Sequence, residues 1–321
     1  MANNIGSLGA QLLANEVAQQ IESKFPILSE FCVNYTENIP AAFGYGSTLI
    51  VKNLANPTVS KFVSGVGFAT ATASASDISI VVNQYAASKV GFDDTQLSSP
   101  VGGLFVTKFA ERTSYAIAKQ VTTDVILNVS SSNFASSQSF ASASAAGRSA
   151  LVSSGQTLDN AGVTDSDRIL VVNPNYYAGL LSDQTLFAPL YFSVNSDVNE
   201  TGKFASALNF DIAKADVGVF ATGRYTPGTS GSLVGFAAHP SALAFVTVMP
   251  PNPTEFVQSG ATVMDFGMAR SPRLGLDVIV AKYYLPGVST LFVETRIMYG
   301  STAGVPTALT AWVSSADNVV S

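Results

Sequence analysis

Few side chains in this sequence could do chemistry, and their spacing limits what they could do. His239 is the only histidine. Standing before Pro240 it could act as a base, yet no serine elbow and no cysteine partner accompanies it. It reads instead as the cap of a helix. Cys32 is the only cysteine, which rules out an intrachain disulfide and a thiolate metal site. Asp93 and Asp94 are adjacent, and neighbours on a strand point to opposite faces, so shared cation coordination is not expected. A lone histidine with scattered carboxylates lacks the ligand spacing of a zinc or EF-hand site. Gly44-Tyr45-Gly46 lacks the third glycine and the lysine of a phosphate cradle; it fits a hinge at the root of a hairpin equally well. No catalytic, cofactor-binding or metal-ligating residue is therefore assigned, and the chain reads as a structural subunit.

Composition points the same way. Charged residues make up only 12% of the 321 positions and hydrophobic ones 47%, so much of the surface must be neutral or apolar. Such a surface is usually covered by other subunits, because obligate interfaces are depleted in Lys, Glu and Asp. The net charge of -6, with no Lys/Arg cluster, excludes a sequence-reading nucleic-acid binder. Met1 to Gly6 carry no Lys or Arg and lead into no apolar run, so no secretory signal is expected and an intracellular origin is. Nor does any apolar run reach the ~18 residues that a membrane helix needs.

The elements follow from periodicity. Ser7 can cap a helix in which Leu13, Val17, Ile21 and Phe25 form one stripe, ending before Pro26. That helix could pack on its own domain or reach a neighbour. From Gly44 to Asn83 the texture is β, with runs at Thr48 to Val51, Thr58 to Val63 and Ile78 to Val82 broken by Asn56-Pro57 and Gly65-Val66-Gly67. Ala69 to Ser76 is nearly all Ala, Ser and Thr. The whole reads as a long hairpin, which would be marginal in water with nothing to lie on. A helix is expected over 101–129, with Val106, Ala110, Ile117, Val121 and Val125 on one face and a length on the order of 40 Å.

A Ser/Ala-rich connector, Ser130 to Ala146, leads to a short helix ending near Gly162. Arg168 to Val172 is a buried strand, and Asn173-Pro174 starts a helix through Tyr176, Tyr177, Leu180 and Leu181. The same device at His239-Pro240, after a strand from Leu233 to Ala237, predicts a second helix over Ser241 to Val248. Pro250 to Pro253 marks a boundary. Beyond it, Leu276 to Tyr284, Leu291 to Met298 and Ala308 to Val313 read as strands of one mainly antiparallel sheet.

In order and in several motifs the chain resembles the major capsid proteins of tailed phages, the Hong Kong 97 type fold. The resemblance rests on Val90-Gly91-Phe92-Asp93-Asp94 before the long helix, on Leu158-Asp159 through Gly162, on Arg168 to Pro174 with Tyr177 and Leu180-Leu181, and on Gly235-Phe236 with His239 to Ala244. Tyr299-Gly300 with Pro306 and Ala308 is similar to the family's closing turn and last strand. It implies an α+β fold with an N-terminal arm at 1–25 and an extended hairpin, the E-loop, at 44–83. A peripheral domain is implied over 26–43, 84–131 and 255–321, its spine helix over 101–129, and an axial domain over 132–254. Asp183 to Arg224 matches no part of the pattern.

The resemblance further implies pentamers and hexamers tiling an icosahedral shell around double-stranded DNA, held without sequence-specific contacts. Implied partners are a portal and either a separate scaffolding protein or none, since residues 1 to 24 leave no room for a fused one; no membrane is expected. The implied location is the virion, assembled in the host cytoplasm. Expected interface residues are Lys52, Lys61, Phe62, Val63 and Phe68 on the hairpin and Leu13, Val17 and Ile21 on the N-terminal helix. Lys52 and Lys61 occupy the hairpin where some relatives crosslink through a lysine, though no matching Asn and carboxylate are identified. Two alternatives stay open: an encapsulin-type compartment of the same fold, and a surface-layer or tail-tube protein.

Overall fold

The computed structural model describes residues 9–24, 31–40, 43–54, 59–62, 64, 66–68, 75–93, 102–183, 206–220, 231–251, 261–271 and 275–314. Among these the chain forms helices α1 (Ala10–Lys24), α2 (Gly102–Ile126), α3 (Arg148–Asn160) and α4 (Pro174–Ser182). The strands are β1 (Val33–Asn34), β2 (Thr48–Leu54), β3 (Ala75–Val81), β4 (Gln84–Asp93), β5 (Ser137–Phe140), β6 (Ile169–Val172) and β7 (Ser206–Ala207). They continue with β8 (Phe210–Lys214), β9 (Ser232–Ala238), β10 (Leu243–Val248), β11 (Thr262–Arg270), β12 (Asp277–Leu285), β13 (Thr290–Ala303) and β14 (Leu309–Ser314).

Two six-stranded sheets organise the body. In the first, the order is β1-β10-β13-β12-β11, with β4 also paired to β13. The long β13 is the hub: residues 290–297 pair with β12, 290–299 with β4 and 298–303 with β10. The second sheet runs β5-β14-β9-β6-β8-β7. One apolar core joins them. The helical face Ala110, Ile117, Val121 and Val125 of α2 packs with Val278, Val280, Val293 and Ile297 from the first sheet and with Ile169, Val171 and Phe236 from the second. Leu170, Val172 and Trp312, on the opposite face of the second sheet, form a separate core with Leu151 and Leu158 of α3 and Leu180 of α4. Because β6 is buried on both faces, its sequence Ile-Leu-Val-Val is continuously apolar and does not alternate.

Several local expectations hold for evident reasons. Asn173 caps α4 by accepting a 2.9 Å hydrogen bond from the Tyr176 N–H, with Pro174 at the first helical position. Gly162, at φ +72°, ends the turn after α3. Arg168 is only 3% exposed and is held at the entrance to β6 by the loop before it. Its Nη2 donates to Asp159 Oδ1 at 2.7 Å and to the Val163 carbonyl at 2.6 Å, and its Nε donates to the Thr164 carbonyl at 2.8 Å. A buried guanidinium needs such partners, because desolvation costs several kcal/mol when they are missing.

Others are corrected. Leu243 to Val248 is a strand, not a helix: His239 does accept a hydrogen bond from the Ser241 N–H, but the turn is a single 3-10 turn, after which β10 pairs with β13. Ala308 to Val313 does not join the sheet of β12 and β13; β14 lies in the second sheet between β5 and β9. Consequently β10 shares a sheet with β12 and β13, and β14 shares one with β6 and β9. Gly300 sits inside β13 and makes no closing turn. Described residues 59–62 are not strand, while Thr58 and Val63 fall outside the described residues, as do Ser7, Phe25, Asp94, Pro253 and most of Asp183 to Arg224.

Leu13, Val17 and Ile21 require the clearest correction. Expected on a subunit contact, they are fully buried in the chain's own core. α1 lies against α2, β11 and β12. The Gln11 side-chain amide exchanges two hydrogen bonds with the Met268 backbone, donating at 2.6 Å and accepting at 3.1 Å, and the Ala10 N–H donates to Asp265 Oδ2 at 2.6 Å. At Gly267 the α1 backbone passes so close to β11 that an added Cβ would stand 2.4 Å from Gln11 Cα. Only glycine permits that approach.

Candidate functional site

The hairpin β2–β3 is the part of the molecule with most to gain from a neighbour. Its strands pair from Thr48↔Val81 to Leu54↔Ala75, a seven-residue ladder about 20 Å long at ~3.3 Å per residue. Partners in register share a face, so Leu49 and Ile80, with Val51 and Ile78, form one apolar side. At the root that side is covered: Ile80 and Val82 are buried against Val246, Val248 and Met298 of the first sheet. The root is also held by Gly46 N–H donating to the Val82 carbonyl at 2.8 Å, so Gly44-Tyr45-Gly46 makes a hydrogen-bonded turn there, with Gly46 at φ +81°. At Gly300 the hairpin backbone crosses β13, and a Cβ would lie 2.2 Å from the Val81 oxygen.

Away from the root, nothing equivalent among the described residues covers the segment that joins the two strands. Val59 (95% exposed), Phe62 (63%), Val66 (83%) and Phe68 (70%) crowd the distal end. Phe62 and Phe68 meet edge to face, with ring centroids 5.5 Å apart, and both rings stay largely exposed. Four exposed apolar side chains within ten residues are the signature of a contact surface. Lys61 is exposed beside them, whereas Lys52 stands on the ladder and forms an exposed 3.4 Å ion pair with Asp77. Val63 lies outside the described residues.

Sequence reasoning missed a second feature, a cavity of about 310 Å³ beside the hairpin root. Phe43, Tyr45, Tyr85, Met249, Pro251 and Met298 line it. Tyr45, Tyr85 and Met249 are all partly or largely exposed. Four distant stretches of chain build it, and no sequence pattern brings them together.

The polar clusters elsewhere are structural. Asp216 ties the segment after β8 to α2: Tyr115 Oη donates to Oδ2 at 2.7 Å, Lys119 Nζ at 3.1 Å, and the Gly218 N–H to Oδ1 at 3.1 Å. The Tyr115 hydroxyl first, then the Gly218 N–H and Lys119, hold this carboxyl below its ordinary range. On the first sheet Arg296 pairs with Glu294 through Nε at 2.8 Å and Nη2 at 3.0 Å, and Lys89 Nζ lies 4.2 Å from the centroid of Phe292. His239 has Nδ1 2.8 Å from Ser241 Oγ and occupies the capping position expected of it. Burial lowers its pKa below 6.5. Among the described residues no group of three or more His, Cys, Asp or Glu could hold a metal ion, and no helix is long and apolar enough to cross a membrane.

No family model and no curated protein matches the chain. Solved structures do. The chain is similar to the capsid structure of cyanophage P-SCSP1u, with 13% identity, 90% of this chain and 88% of that chain covered, and a TM-score of 0.59. It is similar to the asymmetric unit of the bacteriophage PhiM1 mature capsid (13% identity, 90% and 85% covered, TM-score 0.56). It is also similar to a structure from Mycobacterium phage Che8 (16% identity, 89% and 90% covered, TM-score 0.58). At such identities the likeness is one of fold. The chain has the mixed α+β fold found in these phage capsid structures, matched over nearly its whole length and theirs.

Proposed function

We propose that this chain is a major capsid protein of the Hong Kong 97 type, many copies of which form pentamers and hexamers that close an icosahedral shell around double-stranded DNA. In this reading α2 is the spine helix, the first sheet is the core of the peripheral domain, the second is the core of the axial domain, and β2–β3 is the E-loop. The observation that carries it is the hairpin: a root buried on the chain's own sheet and a distal end with Phe62 and Phe68 exposed, on a body whose fold is shared with phage capsid chains. Its mechanism is geometric. Each hairpin lies over an adjacent subunit, Phe62, Phe68 and Lys61 toward it, and many modest contacts act together once a ring has closed. The acidic chain, at a net charge of -6, leaves neutralisation of the packaged DNA to small cations.

Electron microscopy of the purified chain tests this. Closed isometric shells are expected; a monodisperse monomer at high concentration refutes it, and open tubes or flat sheets indicate a tail-tube or surface-layer protein. Deleting 47–76 should abolish closed shells, and normal shells from that variant would rule out the clamping role. Nuclease-protected DNA inside particles made during infection separates a capsid from an encapsulin-type compartment, which would instead yield protein cargo.

A further inference from the structure

The molecule carries an exposed aromatic plug and an aromatic-lined socket that its own plug does not occupy. Phe62 and Phe68 form the plug at the distal end of the hairpin. The socket is the 310 Å³ cavity at the root, lined by Phe43, Tyr45, Tyr85, Met249, Pro251 and Met298. We propose that the socket receives the Phe62/Phe68 plug of a second copy of this chain. The inference rests on the capsid reading and specifies where on the neighbour the hairpin ends.

Three observations favour this occupant. The cavity is close to the smallest size at which pockets hold a ligand, which suits one or two aromatic rings and not a folded domain. Its lining has the chemistry that aromatic rings prefer: Met249 and Met298 offer thioether sulfur to a ring edge, and Tyr45 and Tyr85 offer edge-to-face partners. Among the described residues no charged side chain lines the cavity and none belongs to the ring pair, so joining these groups desolvates no ion. The contact is heterologous: every copy gives one plug and offers one socket. That arrangement propagates from copy to copy until a ring closes.

Cysteine pairing tests the contact in the assembled full-length chain, whose own Cys32 is buried. In shells of a Phe62→Cys/Met249→Cys variant, mild oxidation should give a ladder of covalent multimers on a non-reducing gel, collapsing on reduction. Phe62→Cys combined with Val152→Cys, on the exposed side of α3, should give none. Intact shells without the plug-to-socket ladder overturn the proposal while leaving the capsid reading standing; failure of the unmodified chain to form any particle overturns both. If the cysteine pair does not assemble, an alanine cycle decides. Phe62→Ala and Met249→Ala should each raise the concentration needed for assembly about tenfold, and the double variant no further than the worse single one. Independent effects, multiplying to about a hundredfold, overturn the proposal.

Discussion

Gly300→Ala isolates the force that keeps the hairpin root in place. An added Cβ would stand 2.2 Å from the Val81 oxygen, 2.8 Å from the Val81 carbonyl carbon and 3.1 Å from Val82 Cα. All three are backbone atoms, so no rotamer change relieves the clash, and β3 must withdraw from β13 by about 1 Å. That withdrawal loosens Ile80 and Val82, both fully buried on the first sheet, each worth ~1.5–3 kcal/mol of burial. Since partial withdrawal forfeits only part of this, the expected destabilisation is about 2–3 kcal/mol. Gly287→Ala is the matched control, for a Cβ there meets nothing within 4 Å. Urea denaturation should show a lower midpoint for Gly300→Ala alone, and brief proteolysis should cut its hairpin faster. If Gly300→Ala unfolds with the control and its hairpin is no more labile, close backbone packing does not fix the root.

Gly267→Ala should detach α1 from β11 by the same means, exposing Leu13, Val17 and Ile21; faster amide exchange over residues 10–24 is the measurement. Arg168→Leu should cost about 2 kcal/mol in denaturant unfolding, because the carbonyls of Val163 and Thr164 lose their donor; the lost ion pair adds little, since its carboxylate, Asp159, is exposed. Asn173→Ala should cost ~1 kcal/mol through the lost cap of α4, and Asn173→Asp much less. Asp216, whose folded-state pKa lies below the ordinary 3.8, adds stability that is whole above that value and lost as pH falls through the lower one. An acid-unfolding profile of Asp216→Asn should therefore lack part of the decline seen below pH 3.8.

Elements with local causes were legible in the sequence. The α2 face, the Asn173-Pro174 cap and the doubly buried β6 each declare themselves in adjacent residues, and the structure places them as expected. The misreadings have non-local causes. His239-Pro240 does make a capped turn, but Phe245-Val246-Thr247-Val248 then pairs with β13, and that β-rich run overrides the helical start that Tyr176 to Leu181 completes after Asn173. Nothing in the sequence of β14 says that its partners are β5 and β9. Gly300 was visible as a glycine, yet whether it served a turn or a close crossing depended on β3, more than two hundred residues earlier. The hairpin could be read because its apolar residues lie together in sequence; the socket could not, because Tyr45, Tyr85, Met249 and Met298 converge only in three dimensions.

The position of β14 also sets a timetable for synthesis. A central strand of the second sheet is contributed by residues 309–314, so Phe236 and Trp312 cannot find their places until nearly all the described chain has left the ribosome. The first sheet waits almost as long, since its hub spans 290–303. Neither sheet can therefore complete its ladder while only the N-terminal half of the described chain is available, and both must wait for pairings across most of the sequence.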